Sequence, residues 1–290
     1  MKNAMNRTLL MVVAMLFAAT SAFAQIETPR PSPSAKFTQT VGLTDVTLDY
    51  SRPGIKGRTI FGDLVPYGKI WRTGANAATK ISFSKDVTLE GNKVPAGDYA
   101  LYTIPGETEW TVMIYKDLGL GGNVARYDEK NELVRFKVST KELPWPMETF
   151  TIGVGNISDK SATIDILWEK TYAAVKMEVD TDTQVMASIE QFSKNPMGSV
   201  GGQFAQAANY YYLNDKDLNK ALKWMTKAIE INPNAFWNIQ RKAEIQAKMK
   251  DYKAAIATAK KSLEVAKAAQ NDFGYIASNE KLIEAWKTKL

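Results

Sequence analysis

Glycine and arginine are concentrated between residues 51 and 84, in the sequence SRPGIKGRTIFGDLVPYGKIWRTGANAATKISFS. Glycine at this density indicates backbone that turns sharply or approaches another group closely, because glycine adopts positive φ without strain. Arginine offers a planar fork of N–H donors that suits a carboxylate or a phosphate. One interpretation is therefore that this stretch has the residues to hold a small polar or anionic ligand. The candidate ligand-binding residues are Arg52, Arg58, Lys69, Trp71, Arg72 and Asn76.

A structural role for the same stretch is the alternative. The arginines would then pair with Asp49, Asp63 or backbone carbonyls, and the glycines would serve turns. The apolar residues of the stretch would fill the core of the domain. These residues are Ile60, Phe61, Leu64 and Val65. The composition agrees with either interpretation.

The chain contains no histidine and no cysteine. This absence excludes Ser-His-Asp and Cys-His nucleophilic centres, zinc sites built on these ligands, and disulfides. We predict a non-catalytic protein with no metal site and no cofactor. The enzymatic alternative is a hydrolase of envelope glycans that uses paired carboxylates, and its nearest candidates are Asp49, Asp63 and Asp98.

The first 24 residues have the pattern of a signal peptide. Lys2 and Arg7 precede an apolar run over residues 9–19, and Ala22-Phe23-Ala24 supplies the small residues that a signal peptidase recognises. The run is shorter than the roughly 20 apolar residues of a membrane-spanning helix. We predict cleavage before Gln25 and a periplasmic or secreted protein without a membrane span.

The net charge argues against a nucleic-acid partner. The whole chain has 37 basic and 31 acidic residues, and removal of Lys2 and Arg7 leaves 35 against 31, a charge of +4. This excess is small for a protein that must present a basic patch to phosphates.

Residues 25–179 alternate apolar and polar side chains in short runs, which is the period of half-buried strands. Glu90-Gly91-Asn92-Lys93 has the residues of a tight hairpin turn. We predict an antiparallel β sandwich over residues 25–179. Three tryptophans lie in alternating runs and are predicted to be core residues. They are Trp110, Trp145 and Trp168.

The period of the apolar residues changes near Asp180 from two to between three and four, which places a domain boundary around residues 175–200. We predict a helical array over residues 180–290, with a capping helix from Phe273 to Leu290. Two segments match the spacing of tetratricopeptide repeats, in which small residues let paired helices approach. The matching residues are Ala208, Tyr212, Ala221, Met225, Ala228 and Pro233, then Ala243, Tyr252, Ala255 and Ala259.

Helical arrays of this kind commonly bind a peptide or another protein along one face. The candidate partner-binding residues are Asn209, Lys220, Lys223, Asn238 and Lys242. The alternative is that they are solvated positions, as exposed lysine and asparagine usually are. Together these patterns predict an α+β protein of two modules that acts in the cell envelope as a binding or assembly module.

The glycine- and arginine-rich stretch also resembles a known family. The similarity is carried by Ser51-Arg52-Pro53-Gly54, by residues 56–68, by residues 71–76, and by the Pro-Ala-Gly-x-Tyr turn at residues 95–99. These segments look like the signature of the secreted bacterial family catalogued as domain of unknown function 2911. The resemblance covers residues 25–179 and implies an exported β domain that is sometimes followed by helical repeats. It implies no activity and no catalytic residue.

Overall fold

The computed structural model describes residues 28–194 and 201–290. The signal peptide predicted for residues 1–24 lies outside these residues, as does most of the predicted linker at residues 195–202. The chain divides into two compact units, one that ends at Asp182 and one that begins at Thr183. Of the helices in the described ranges, none combines the length and apolarity that crossing a bilayer requires.

The first unit is an antiparallel sheet of nine strands among the described residues. The strands are β1 (Ser34–Val41), β2 (Thr44–Ser51), β3 (Thr79–Phe83), β4 (Val87–Leu89), β5 (Asn92–Val94), β6 (Gly97–Ile104), β7 (Glu109–Tyr115), β8 (Glu132–Gly155) and β9 (Ser161–Val179). Their order across the sheet is β1-β2-β3-β6-β7-β8-β9-β4-β5. The alternating runs therefore form strands as predicted, and the antiparallel β domain is confirmed.

The long strand β8 belongs to both halves of the sheet, and the core of the unit lies between these halves. Its first part pairs with β7 and its second part with β9. The register shifts around Met147, next to Pro144 and Pro146, which cannot donate to the ladder. Trp145 lies in this irregular segment and is 63% exposed, so its predicted core position is wrong. Because the register shifts interrupt the alternation of inward and outward side chains, the sequence pattern does not apply there.

The core between the two halves of the sheet is apolar and aromatic. Tyr50 on β2 links the halves, since its hydroxyl donates to the Ile152 carbonyl oxygen at 3.0 Å and accepts from the Ile152 N–H at 2.9 Å. Trp110 and Trp168 are fully buried, as predicted. Burial of each such side chain contributes about 1.5–3 kcal/mol or more to the free energy of unfolding, which stabilises the packing of the two halves of the sheet.

The hairpin predicted at residues 90–93 is confirmed. Glu90 and Gly91 have φ values of 45° and 80°, and β4 and β5 pair on either side of them. Two successive positive φ values are the conformation of a type I′ turn, which matches the twist of paired strands.

The second unit consists of six helices among the described residues, the first of which begins two residues before the boundary between the units. They are α1 (Thr181–Lys194), α2 (Gly201–Leu213), α3 (Leu218–Ile231), α4 (Phe236–Lys248), α5 (Tyr252–Ala268) and α6 (Tyr275–Lys287). The carboxylates of Asp217 and Asp251, 34 residues apart, cap α3 and α5 by accepting hydrogen bonds from backbone N–H groups. This offset is the tetratricopeptide period. Alanines predicted at close helix contacts are fully buried, among them Ala208, Ala221 and Ala255.

Candidate anion-binding cavity of the β unit

The stretch between β2 and β3 is held by backbone hydrogen bonds to two strands. Near its start, the Ile55 N–H donates to the Glu148 carbonyl oxygen of β8 at 2.8 Å. Further along, Trp71 and Thr103 of β6 exchange two hydrogen bonds of 2.7 and 2.9 Å. The side chains between these anchors therefore have fixed starting points on the sheet.

The turn at Lys56 and Gly57 orients Arg58. Both turn residues have positive φ, 52° and 72°, and the Arg58 N–H closes the turn on the Ile55 carbonyl oxygen at 3.2 Å. The Arg58 side chain then returns to the same backbone, because Nε donates to the Ile55 oxygen at 2.9 Å and Nη2 to the Gly54 oxygen at 2.6 Å. Two of its five N–H donors are used in this way.

Arg72 and Lys56 are also anchored by backbone carbonyls. Arg72 Nη1 donates to the Gly122 oxygen at 3.4 Å, and Lys56 Nζ donates to the Pro31 oxygen at 3.2 Å. In residues 28–194 and 201–290, no ion pair includes Arg52, Arg58 or Arg72. Their positive charges are therefore oriented by the fold but not neutralised by it.

Lys56, Arg58 and Arg72 line a cavity of about 300 Å³. The rest of its wall is largely apolar and includes Pro31, Pro53, Leu64, Val65, Trp71 and Trp168. The chain thus brings together three cationic side chains and an aromatic surface, which is the combination that holds an organic anion.

Trp71 joins the cavity to the core. Its indole Nε1 donates to the Gly74 carbonyl oxygen at 3.0 Å. Its ring stacks nearly parallel to Trp168, with centroids 5.9 Å apart and planes at 17°, and meets Phe150 edge-on at 5.2 Å. Because these neighbours are buried, this wall of the cavity is rigid.

The segment before β1 forms another wall. Pro31 and Ser32 line the cavity, and Asn76 Nδ2 fastens this segment by donating to the Ser32 carbonyl oxygen at 3.3 Å and to Ser51 Oγ at 3.1 Å. The Pro- and Ser-rich segment before the strand carries no periodic pattern, so its part in the cavity arises only from these long-range contacts.

A family model described as "Protein of unknown function (DUF2911)" matches residues 32–177, half of the chain. The chain belongs to this family. The match contains the entire stretch between β2 and β3, whereas the helices α1–α6 lie beyond it. No curated protein matches the chain.

Three of the six candidate ligand-binding residues lie on the cavity of the DUF2911 unit, namely Arg58, Trp71 and Arg72. Arg52 does not line it, since its guanidinium donates to the Phe150 carbonyl oxygen at 3.0 Å and to Thr151 Oγ1 at 2.7 Å. Asn76 fastens the neighbouring segment, and Lys69 is exposed away from the wall.

Sequence reasoning did not select Lys56 or Trp168 as candidates. Lys56 stands two residues before Arg58 in the same turn, and this spacing could have identified Lys56 as a candidate. Trp168 lies in an alternating run of β9 and carries no such signal.

The structural interpretation also holds in part. Ile60, Phe61 and Val65 are buried as predicted, but Leu64 is 46% exposed. Arg52 and Arg58 bond to backbone carbonyls and not to Asp49 or Asp63. The DUF2911 stretch therefore contributes both to the core and to the cavity.

The acids named for the hydrolase alternative do not line the cavity. Asp98 is paired with Lys80 at 2.8 Å, and the hydrogen bond from Lys80 lowers the pKa of Asp98, which is the opposite of what a general acid needs. Glu148 lies beside the cavity, and its carboxylate accepts the Lys56 N–H at 3.0 Å. No group of three carboxylates in the described ranges could hold a metal ion.

A larger cavity of about 470 Å³ lies beside β4 and β5 of the DUF2911 unit. Its lining mixes both charges, and its acids already have partners. Glu178 is paired with Lys176 at 2.6 Å, and Asp86 accepts the Ala96 N–H at 2.8 Å. The wall of this cavity carries three acidic side chains and one lysine, and it has no arginine.

The candidate partner-binding residues lie on three helices of the second unit. Asn209 is on α2, Lys220 and Lys223 are exposed on α3, and Lys242 is half-buried on α4. Asn238 on α4 is buried.

Proposed function

We propose that the DUF2911 unit is a non-catalytic binding module that holds a small anionic ligand in the cavity beside Trp71. The observation that supports this most is that Arg58 and Arg72 share one cavity, each is anchored by backbone carbonyls, and no carboxylate of the described residues neutralises either. Charge-assisted hydrogen bonds to a carboxylate or phosphate are about twice as strong as neutral ones, so such a ligand would satisfy both guanidiniums.

The two guanidiniums have enough free donors for this role. Arg58 uses two of its five N–H groups on the protein and Arg72 uses one, which leaves three and four. An anion between them would receive two or more hydrogen bonds from preoriented groups, and preorientation lowers the entropic cost of binding.

We further propose that the protein works in the cell envelope, in the periplasm or after secretion. This location follows from the signal peptide pattern of the first 24 residues. An exported binding module would meet small anions and envelope components there.

The test is the binding of inorganic phosphate to the full mature chain at low salt, measured by calorimetry. The double variant Arg58→Gln/Arg72→Gln should lose about 100-fold or more in affinity, because each of the two lost charged hydrogen bonds costs about 1.5–3 kcal/mol. Lys69→Gln is the matched control, since it removes one charge from the same stretch but not from the cavity wall. No phosphate binding by the wild type, or an equal loss in Lys69→Gln, would overturn the proposal.

For the helical unit we propose the docking of a protein partner. Two large apolar side chains near the turn between α3 and α4 support this, because Ile231 is 46% and Trp237 45% exposed. Trp237→Ala in the full chain should reduce co-purification of a specific envelope protein, while Lys260→Ala at an exposed position of α5 should not. Unchanged co-purification in Trp237→Ala would contradict this role.

A further inference from the structure

The cavity is sized for an organic molecule. Its volume of about 300 Å³ lies at the lower end of the range of small-molecule pockets, about 300–1,000 Å³. An inorganic phosphate or sulfate between Arg58 and Arg72 would leave much of this space to water. Much of the remaining wall is apolar, so that part of this water would lie against carbon atoms.

We infer that the ligand is an anion joined directly to a compact apolar ring, such as an aromatic carboxylate or aromatic phosphate ester. This inference rests on the proposed function, because it assigns a ligand class to the same cavity. The guanidiniums would take the charged group, and the ring would cover Trp71 and Leu64.

Trp71 presents a ring and not a donor to the cavity. Its indole N–H is already used by the Gly74 carbonyl oxygen at 3.0 Å. The near-parallel packing on Trp168 fixes the plane of the ring. Trp71 is only partly buried on the cavity wall, so an apolar ligand group can contact the part of the ring that faces the cavity.

Leu64 differs from the other apolar residues of its loop. Ile60, Phe61 and Val65 are buried, whereas Leu64 is 46% exposed and lies on the cavity wall. Removing an exposed leucine side chain from water is favourable in free energy. An apolar ligand group in the cavity would cover Leu64 in this way.

A polyhydroxylated ring fits less well than an apolar one. Several neutral polar groups near the cavity already have a partner, since Asn76 Nδ2 donates to Ser32 and Ser51, and the Gly54 and Gly74 carbonyl oxygens accept from Arg58 and Trp71. Sugar hydroxyls enclosed there would lose water and would compete with the anionic group for the free guanidinium donors, which lowers affinity.

The experiment compares four probes on the full mature chain, namely inorganic phosphate, phenyl phosphate, phenol and glucose 6-phosphate. Phenyl phosphate should bind about tenfold tighter than inorganic phosphate because the ring buries apolar surface, and phenol should not bind detectably. Leu64→Asn should reduce the preference for phenyl phosphate over phosphate about threefold, whereas Leu43→Asn, at an exposed leucine outside the cavity, should leave this preference unchanged. Leu64 is exposed, so this variant is expected to fold.

The outcomes separate the two proposals. Equal affinity for phosphate and phenyl phosphate, or tighter binding of glucose 6-phosphate than of phenyl phosphate, would overturn the inference and leave the anion site intact. Failure of both phosphate and phenyl phosphate to bind would overturn the anion site itself. A preference for phenyl phosphate that survives in Leu64→Asn would show that the ring lies elsewhere, which also overturns the inference.

Discussion

Two parts of the β unit use arginine in opposite ways. Beside the loop between β7 and β8, Arg135 is paired with Glu132 at 2.6 Å and with Glu129 at 3.2 Å. In the stretch between β2 and β3, Arg58 and Arg72 meet backbone carbonyls and no carboxylate of the described residues. The first arrangement satisfies its own charges. The second orients a positive charge and leaves it for a ligand.

The paired region is a closed network. Burial alone would raise the pKa of Glu132, but hydrogen bonds from Arg135 and Tyr127 lower it. The hydrogen bond with Glu132 raises the pKa of Arg135, and burial followed by the same partner raises the pKa of Tyr127. These hydrogen bonds therefore stabilise the charged forms of Glu132 and Arg135 and the neutral form of Tyr127. Mutual stabilisation of this kind is expected of a structural network.

The largest effect should appear in the paired region at alkaline pH. Tyr102 packs against Tyr115 and Tyr127, its hydroxyl donates to the Gly121 oxygen at 2.7 Å, and burial raises its pKa to about 12. Because the folded pKa lies above the unfolded value of about 10, this stabilisation is complete below pH ~10 and is lost as pH rises towards ~12. The stability advantage of the wild type over Tyr102→Phe should shrink by about 2 kcal/mol between pH ~9 and ~12.

Denaturant unfolding at several pH values measures this difference directly. Tyr67→Phe is the control, because Tyr67 is exposed and lies outside the packed tyrosines around Tyr102. Parallel curves for the wild type and Tyr102→Phe would show that the hydroxyl titrates as it does in water.

The second prediction compares the two kinds of arginine by stability. Arg135→Gln should cost about 2 kcal/mol, because it leaves the largely buried Glu132 carboxylate without its charged partner. Arg58→Gln should cost less than about 1 kcal/mol, because it frees two exposed carbonyl oxygens that water can satisfy. Chemical denaturation of the two variants at neutral pH gives both numbers. Equal losses would mean that Arg58 is a structural staple, as the alternative interpretation of the sequence holds.

Local patterns in the sequence predicted the strands, the hairpin at Glu90 and the helices beyond Asp180, because each depends on the spacing of nearby side chains. Composition alone also singled out Arg58, Trp71 and Arg72. The two-residue period failed at Trp145, since the register shifts of β8 depend on how Pro144 and Pro146 meet β9. No local pattern reports such a shift.

The remaining parts of the cavity could not be predicted because they come from distant parts of the chain. Trp168 is nearly 100 residues from Trp71 in sequence, and the two rings come into contact only because of the order of the strands in the sheet. Pro31 and Ser32 join the wall through the side chains of Lys56 and Asn76. Arg52 had the same composition signal as Arg58, yet β8 offers it partners, so only the fold separates the two roles.

The smallest predicted effect lies at Gly122, where the two regions meet. The Gly122 carbonyl oxygen accepts from Arg72 Nη1 at 3.4 Å, and a Cβ at this position would lie 2.6 Å from the Asn76 carbonyl oxygen and closer still to Arg72. Backbone cannot move aside as a side-chain end can, so Gly122→Ala should displace the segment that carries Arg72. We expect phosphate affinity to fall about threefold, which corresponds to about 0.6 kcal/mol.

Gly119→Ala in the same loop is the matched control for Gly122→Ala. A Cβ at Gly119 would meet only the Asp117 carboxylate, which is the movable end of a side chain. Phosphate titration of both variants then shows whether the loop between β7 and β8 positions Arg72. If Gly122→Ala binds phosphate as the wild type does, the contact at Gly122 does not position Arg72 for the ligand. The closed network and the cationic cavity would then be independent.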